Sequence, residues 1–353
     1  MDTCSLIAYT NRMRVRKLPW LISQVIANER KYMRRYDVSP ITAAKLWRQG
    51  HFSYAAVLYD LDRLELYLSH KDQHETIAIN GAMGEAMRNK YVFKQFLAGE
   101  FGDHLPQTLG LVRRGEYHAT NGPATLLDVI NQTGGVVCKP LASGRGEGVH
   151  VIEAGERYHV DGKPIPREKL IQSTTRLDDF LVEEQVEQHE FQAAIFPNAV
   201  NTMRILSMVH PDTHEPFIGA AVHRFAVPNS APTDNWSQGG IVADIDLETG
   251  ELAPAITASG NAKRHLDRHP TTERKIAGKQ VPNWTAVQEL VLSAAEEFGV
   301  IWPYIGWDIT IAADGTPTII EANRASDVDL LQLNEPLLAD ERCRRFYEHH
   351  EII

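Results

Sequence analysis

The chain has 353 residues, 43% of them hydrophobic and 23% charged, enough to bury a large core in two or three packed units. The formal charge is -10 and no apolar run approaches the eighteen or so residues of a membrane span, so no membrane span and no nucleic-acid partner are expected. Cys4, Cys138 and Cys343 are scattered, with neither metal-site spacing nor a disulfide framework, which points to a reducing, cytoplasmic setting.

The first 36 residues carry eight Lys/Arg against Asp2 and Glu29, leaving the remainder at about -16. From Pro19, the residues Leu21, Ile22, Val25, Ile26 and Tyr32 keep helical spacing, which predicts an amphipathic helix with a solvated basic face. The sharper alternative is a surface for an anionic partner such as a phospholipid or polyprenyl-phosphate sugar. In "SPITAAKLWRQG", Ser39 reads as the cap of a second helix, Pro40 as its first-turn residue and Gly50 as its stop. A further helix is expected from Gly84 to Leu97.

Beyond about residue 108, β-type segments dominate: "VVCKPL", "GVHVIEA", "FLVEEQV", "FQAAIFP", "TMRILSMVH", "FIGAAVHRFAV", "GGIVADIDL", "GWDITIAAD" and "TPTIIEAN". Several alternate apolar and polar residues, as antiparallel strands covered on one face do. "TAVQELVLSAAEEFG" predicts a helix ending at Gly299, and Leu337 to His350 predicts another. The fold class is α+β, with an antiparallel-rich C-terminal half. His210/His214 and His265/His269 share H-x-x-x-H spacing but read as loop or exposed histidines rather than metal ligands.

Three stretches carry chemistry. In "VVCKPLASGRGEGVHV", Lys139 ends an apolar strand and Gly144, Gly146 and Gly148 follow, the outline of a phosphate cradle or of a hairpin with a loose tip. In "WDITIAADGTPTIIEAN" a hairpin turning at Asp314-Gly315 sends Glu321 and Asn323 off one face of its second strand, with Asp308 across from them. Three oxygen ligands on one face suit Mg²⁺, although a solvated hairpin face uses the same residue types; an idle carboxylate after the apolar "TII" run would be costly to bury. In "DDFLVEEQVEQHEF", a carboxylate beside free backbone groups can read an adenine edge, and a later glutamate can take ribose hydroxyls.

The order "CKP…G-R-G-E-G-V", "LVEEQVEQHEF", "NTMRILSM", "GWDIT…IIEAN" resembles the ATP-grasp superfamily of ATP-dependent carboxylate–amine ligases over roughly residues 85 to 335. The stretch "AAVHRFAVPNSAPTDNWSQGGIVADIDLETGEL" is similar to the sugar-transfer-associated group of that superfamily. Residues 1–107 read as a mainly helical region, and the resemblance implies an ATP-grasp N-lobe with a Gly-rich lid over 108–186 and a C-lobe with a metal site over 187–353. It implies that Lys139 and Lys90 hold the phosphates of ATP, that Ser143, Gly144, Gly146 and Gly148 belong to the lid, and that Glu183, Gln185 and Val186 bind adenine. Glu190 takes the ribose on that reading, Asp308, Glu321 and Asn323 bind two Mg²⁺, and Arg204 lies beside the γ-phosphate.

The reaction so implied activates a carboxylate as an acyl phosphate and joins it to an amine, the acid and amine being small molecules, free or carried on a sugar or peptide. Two rival readings stand beside it: phosphoryl transfer to a sugar hydroxyl, and a regulator that binds ATP without turnover.

Overall fold

A computed structural model describes residues 26, 29–122, 125–142, 148–259 and 262–353. The helix expected from Pro19 falls mainly on positions outside this set, as do Ser143, Gly144 and Gly146 of the lid; positions 29–36 are helical. The chain divides into two compact units. The described residues up to Leu64, with Ser69–Lys71 and the described part of 258–263, form the smaller; Glu65–Leu68, Asp72–Thr257 and Arg264–Ile353 form the larger. Residues 72–107, grouped by sequence with the helical N-terminal region, therefore lie in the larger unit.

In the smaller unit the Pro40–Arg48 helix starts as its sequence specifies: the Ser39 hydroxyl accepts from Thr42 N at 3.1 Å, and Pro40 occupies the first turn. The buried Glu29 carboxylate accepts from Trp47 Nε1 at 2.5 Å and from Ser53 N at 3.1 Å, and so ties this helix to the loop that follows.

The larger unit contains two sheets. The first holds β1 (Thr108–Arg113), β2 (Glu116–Ala119), β3 (Gly135–Pro140), β4 (His150–Glu153), β5 (Tyr158–Val160), β6 (Lys163–Ile165) and β7 (Phe180–Glu184), in the order β2-β1-β7-β3-β4-β5-β6. The second holds β8 (Met203–Val209), β9 (Pro216–Phe225), β10 (Ile241–Asp244), β11 (Ala255–Ser259), β12 (Ala262–Leu266), β13 (Tyr304–Ile311) and β14 (Pro317–Asn323), in the order β12-β11-β10-β9-β8-β13-β14. Adjacent strands pair antiparallel through both sheets wherever register is defined, for example β3–β7, β8–β9 and β13–β14.

Alternation decides which face of each strand is covered. In the second sheet Ile205, Ala221, Trp307 and Ala322 share one register row and point into the main core. The Trp284–Phe298 helix covers that face with Trp284, Val287, Leu290, Val291 and Ala294, a stripe at helical spacing. In the first sheet Val136, Cys138 and Val182 pack with Val129, Ile130 and Leu170. That leaves Lys139 and Glu183, on the alternate positions of β3 and β7, facing the other way.

Two elements depart from expectation. The helix expected over Gly84 to Leu97 is broken at Asn89 into Gly84–Arg88 and Lys90–Leu97, because Asn89 leaves the helical conformation and its side chain accepts from Tyr91 N and Val92 N, both at 3.1 Å. "FQAAIFP" is not a strand: Glu190–Ile195 is a helix capped by the His189 ring, which accepts from Phe191 N at 3.1 Å. The local cap and the adjacent alanines outweigh the aromatic residues that suggested β structure.

Candidate active site

Antiparallel pairing sets one row of side chains across five strands of the second sheet. Asp244 of β10 opposes Val222 of β9, which opposes Arg204 of β8; Arg204 opposes Asp308 of β13, and Asp308 opposes Glu321 of β14. Direct partners in an antiparallel pair share a face, so Arg204, Asp308 and Glu321 project together from the side away from the core. Asn323, two residues beyond Glu321, joins them, and its Nδ2 is buried without a hydrogen-bond partner among the described residues.

Two guanidinium groups hold the Asp308 carboxylate. Arg204 Nε donates to Oδ1 at 2.5 Å and its Nη2 to Oδ2 at 3.2 Å, while Arg224 Nη2 donates to Oδ2 at 2.9 Å. Burial works to raise the Asp308 pKa, but Arg204 and Arg224 together keep it at about 2. Arg224 is in turn fixed from behind. Thr202 Oγ1 accepts from its Nε at 3.1 Å, and Asp234 Oδ1 lies 3.4 Å from its Nη2. Asp234 Oδ2 accepts from Thr202 N and Oγ1 at 2.7 and 2.6 Å. Burial raises the Asp234 pKa against the opposing pull of Arg224 and the Thr202 bonds.

The turn that delivers Asp234 is built for close approach. A Cβ on Gly240 would stand 2.6 Å from Asp234 O and 3.0 Å from Asn235 O, so only glycine fits there without backbone movement.

A second charged cluster sits on the first sheet and on the Lys90–Leu97 helix. Lys139 Nζ lies 2.7 Å from Glu183 Oε2, and Lys94 Nζ donates to Glu183 Oε1 and to the Pro106 carbonyl. All three side chains are buried, Glu183 to 1% exposure. Burial alone would raise the Glu183 pKa, yet Lys139 and Lys94 bring it below the usual carboxylate range; burial lowers the pKa of Lys94. One helical turn earlier, Lys90 Nζ lies 3.1 Å from Glu321 Oε2. Lys90, Lys94, Glu183 and Glu321 line one enclosed pocket with Met87, Phe93 and Ile319, so the two clusters meet there.

The structure thus brings Lys139, Lys90, Glu183, Glu321, Asp308 and Arg204 together. The adenine role implied for Glu183 contrasts with its geometry, since both of its oxygens are engaged by lysines. Gln185 and Val186 follow β7 outside regular secondary structure, and Glu190 is an exposed first-turn residue of its helix. Gly148 adopts φ +75°, and a Cβ there would meet Pro140 Cγ at 2.9 Å.

Lys94, Arg224 and Asp234 of these clusters were missed by sequence reasoning. Lys94 is one turn from Lys90 in "NKYVFKQFL", so its spacing was the available signal. Arg224 is bonded to Thr202 through antiparallel pairing, which a β8–β9 hairpin turning near His210–Glu215 would have suggested; Asp234 had no local signal. Of the paired histidines, His265 is in β12, and buried His269 bonds to the Ala226 carbonyl at 2.8 Å. Among the described residues no three His, Cys, Asp or Glu side chains converge as a metal site by themselves, and no helix is long and apolar enough to cross a membrane.

A model of the sugar-transfer-associated ATP-grasp family matches residues 72–344. Similar solved structures include N5-carboxyaminoimidazole ribonucleotide synthetase from Thermotoga maritima, at 14% identity and TM-score 0.36 over 68% of this chain and 42% of that one. An L-amino acid ligase from Bacillus licheniformis aligns at 13% identity and TM-score 0.35 over 68% and 41%. D-alanine–D-alanine ligase from Bacillus anthracis aligns at 13% and 0.38 over 75% and 70%. The chain spans less than half the length of the first two. No curated protein matches the chain.

Proposed function

Because the chain belongs to the sugar-transfer-associated ATP-grasp family, we propose that it is an ATP-dependent ligase that activates a carboxylate and joins it to an amine. The observation that carries this reading is the convergence of Lys90, Lys94, Glu183 and Glu321 around one small cavity, together with the Arg204–Asp308–Arg224 cluster. Lys139, Lys90, Lys94, Arg204 and Arg224 converge from two sheets and one helix, more cations than the acids there need for structure alone. A triphosphate is the ligand such a set suits.

On this reading, Lys139 and Lys94 release Glu183 in part and take phosphate oxygens, while Gln185 and Val186 offer backbone groups to adenine and Glu190 takes the ribose. A carboxylate oxygen of the acid attacks the γ-phosphorus and the bond to ADP breaks. An amine nitrogen then attacks the acyl carbon, loses a proton, and phosphate leaves as the amide forms. Arg204 and Arg224, fixed before the substrate arrives, neutralise charge on the transferring phosphoryl group and on the oxyanion that follows.

Asp308, Glu321 and Asn323 fit Mg²⁺ in donor type, two carboxylates and an amide oxygen on one sheet face, with Asp308 having to give up a guanidinium bond to ligate. These three residues would hold two Mg²⁺ ions, which would supply neutralisation of the phosphate charge.

The test is ADP release with paired acids and amines, followed by the mass of the product. Lys139→Ala should weaken ATP binding and nearly abolish release. Glu321→Gln should cut release by about 10²–10³ while the protein stays folded, and Asn323→Ala should cost less because it removes no charge. Release with a sugar alone, or Asn323→Ala more damaging than Glu321→Gln, would refute the ligase reading and the metal assignment respectively.

A further inference from the structure

A cleft of ≈ 680 Å³ in the larger unit lies between the Glu190–Ile195 helix and the loop from Arg268 to Lys279. Its walls carry Arg268, Arg274, Lys275 and Lys279 against two acids, Glu190 and Glu273. The cleft is therefore cationic in a chain whose net charge is -10. Several arginines elsewhere do pair: Arg113 with Asp179, Arg204 and Arg224 with Asp308, Arg324 with Glu85, Arg345 with Asp212. Among the described residues, none of the four cleft cations makes an ion pair. Of their four side chains, only that of Arg268 makes a hydrogen bond among the described residues, from Nη1 to the Glu273 carbonyl at 2.8 Å.

The loop that presents them is held in place. His269 is fully buried; its Nε2 bonds the Ala226 carbonyl at 2.8 Å, and its Nδ1 accepts from Thr271 N and Thr272 N at 3.3 and 3.2 Å. Thr272 Oγ1 donates to the Ile195 carbonyl at 2.7 Å, which ties the loop to the helix across the cleft. Glu273, at the turn, takes φ +57°, a conformation a non-glycine residue keeps only when its surroundings impose it. Cations left without partners on a loop anchored this way are placed for a ligand. Two guanidinium and two ammonium groups around one concavity select phosphate, whose oxygens accept several charge-assisted bonds at once. The half-buried Phe191 offers an apolar surface for the organic part.

We propose that this cleft binds a soluble phosphorylated compound, a phosphate ester or diphosphate, distinct from ATP. None of Lys139, Lys94, Arg204 or Arg224 lines it. Glu190, assigned above to ribose, stands at its rim, so the experiment reads nucleotide binding separately. The full chain and the variant Arg274→Ala/Lys275→Ala/Lys279→Ala, which changes only exposed residues, are compared by calorimetry after circular dichroism shows the same fold. Inorganic pyrophosphate is titrated at low ionic strength with ADP saturating; ADP is titrated alone; phosphatidylserine and phosphatidylcholine vesicles are tested by sedimentation.

Pyrophosphate affinity should fall about tenfold or more in the variant, and salt should weaken it in the wild type. ADP affinity should not change, and neither protein should sediment with vesicles. Equal pyrophosphate affinity in the two proteins would overturn the inference. So would an equal loss of ADP affinity, which would make the cleft part of the nucleotide site, or sedimentation with phosphatidylserine that the variant loses, which would make it a membrane surface. Absence of ADP binding in the wild type would refute the ligase reading instead.

Discussion

Replacing Glu183 by glutamine removes one negative charge from a triad in which two lysines and one glutamate are buried together. The side chains of Lys94 and Lys139 are 8% and 11% exposed, and that of Glu183 is 1% exposed. Without the carboxylate, two ammonium groups stay desolvated near each other with no counter-charge. Breaking a buried ion pair by deleting one partner costs about 3–5 kcal/mol, which for a unit of this size lowers Tm by about 10 °C. Glu183→Gln is therefore expected to fold but to melt well below the wild type in calorimetry at neutral pH. Two further readouts separate this cause from simple misfit. Lys94, whose pKa burial already lowers, should shed its proton more readily in the variant, so the deficit should shrink as pH rises. In addition, ATP at about 100 times its Kd should return about 2.7 kcal/mol, because phosphate oxygens replace the missing anion. The double variant Lys94→Met/Glu183→Gln should be more stable than the sum of the single changes by about 1–3 kcal/mol. Additive single changes, or a Glu183→Gln protein within about 0.5 kcal/mol of wild type, would refute the reasoning.

Burial holds the His223 pKa down at about 3, from an ordinary 6.5, so the unfolded chain binds the extra proton first. This contribution to stability is complete above pH 6.5 and is lost as pH falls toward 3, by about 1.4 kcal/mol per pH unit. Buried His269 shifts in the same direction; denaturant titrations over the first pH unit below 6.5 should show a slope that His223→Leu reduces. Gly240→Ala should cost about 1–3 kcal/mol in thermal unfolding, because its new Cβ meets backbone oxygen at 2.6 Å. It should also slow ADP release, since the strained turn carries Asp234 and hence the support of Arg224; unchanged release would separate that turn from the site.

Much of this site was legible because strand alternation writes it into the sequence. Lys139 after "VVC", Arg204 within "TMRI", and Asp308 and Glu321 in one hairpin each interrupt an apolar run at a position of defined side. The helix of Glu190–Ile195 was misread because six residues are too few to show a helical period, and the cap that decides it is a histidine. Lys94 was passed over for Lys90 although both lie on one helix face. Which of the two meets Glu183 depends on where Asn89 starts the helix, and on Lys90 N bonding the Leu141 carbonyl at 2.9 Å, a long-range contact. Asp234 was invisible for the same reason: its partners, Thr202 and Arg224, are brought to it only by tertiary folding.

The charged row across the second sheet bears on how that sheet assembles. A slip of one residue in the pairing of β8 or β13 would exchange its two faces and turn Arg204 or Asp308 toward Val287 and Val291 of the covering helix, while Ile205 or Trp307 turned to the polar side. Each buried, unpartnered charge would cost several kcal/mol, so every misaligned sheet is heavily penalised before any ligand is present. A strand with valine in place of Arg204 or Asp308 would lose that safeguard and could tolerate several alignments. The residues proposed to handle phosphate and Mg²⁺ thus also act as alignment pins: they make the correct strand pairing the one arrangement in which no charge is stranded.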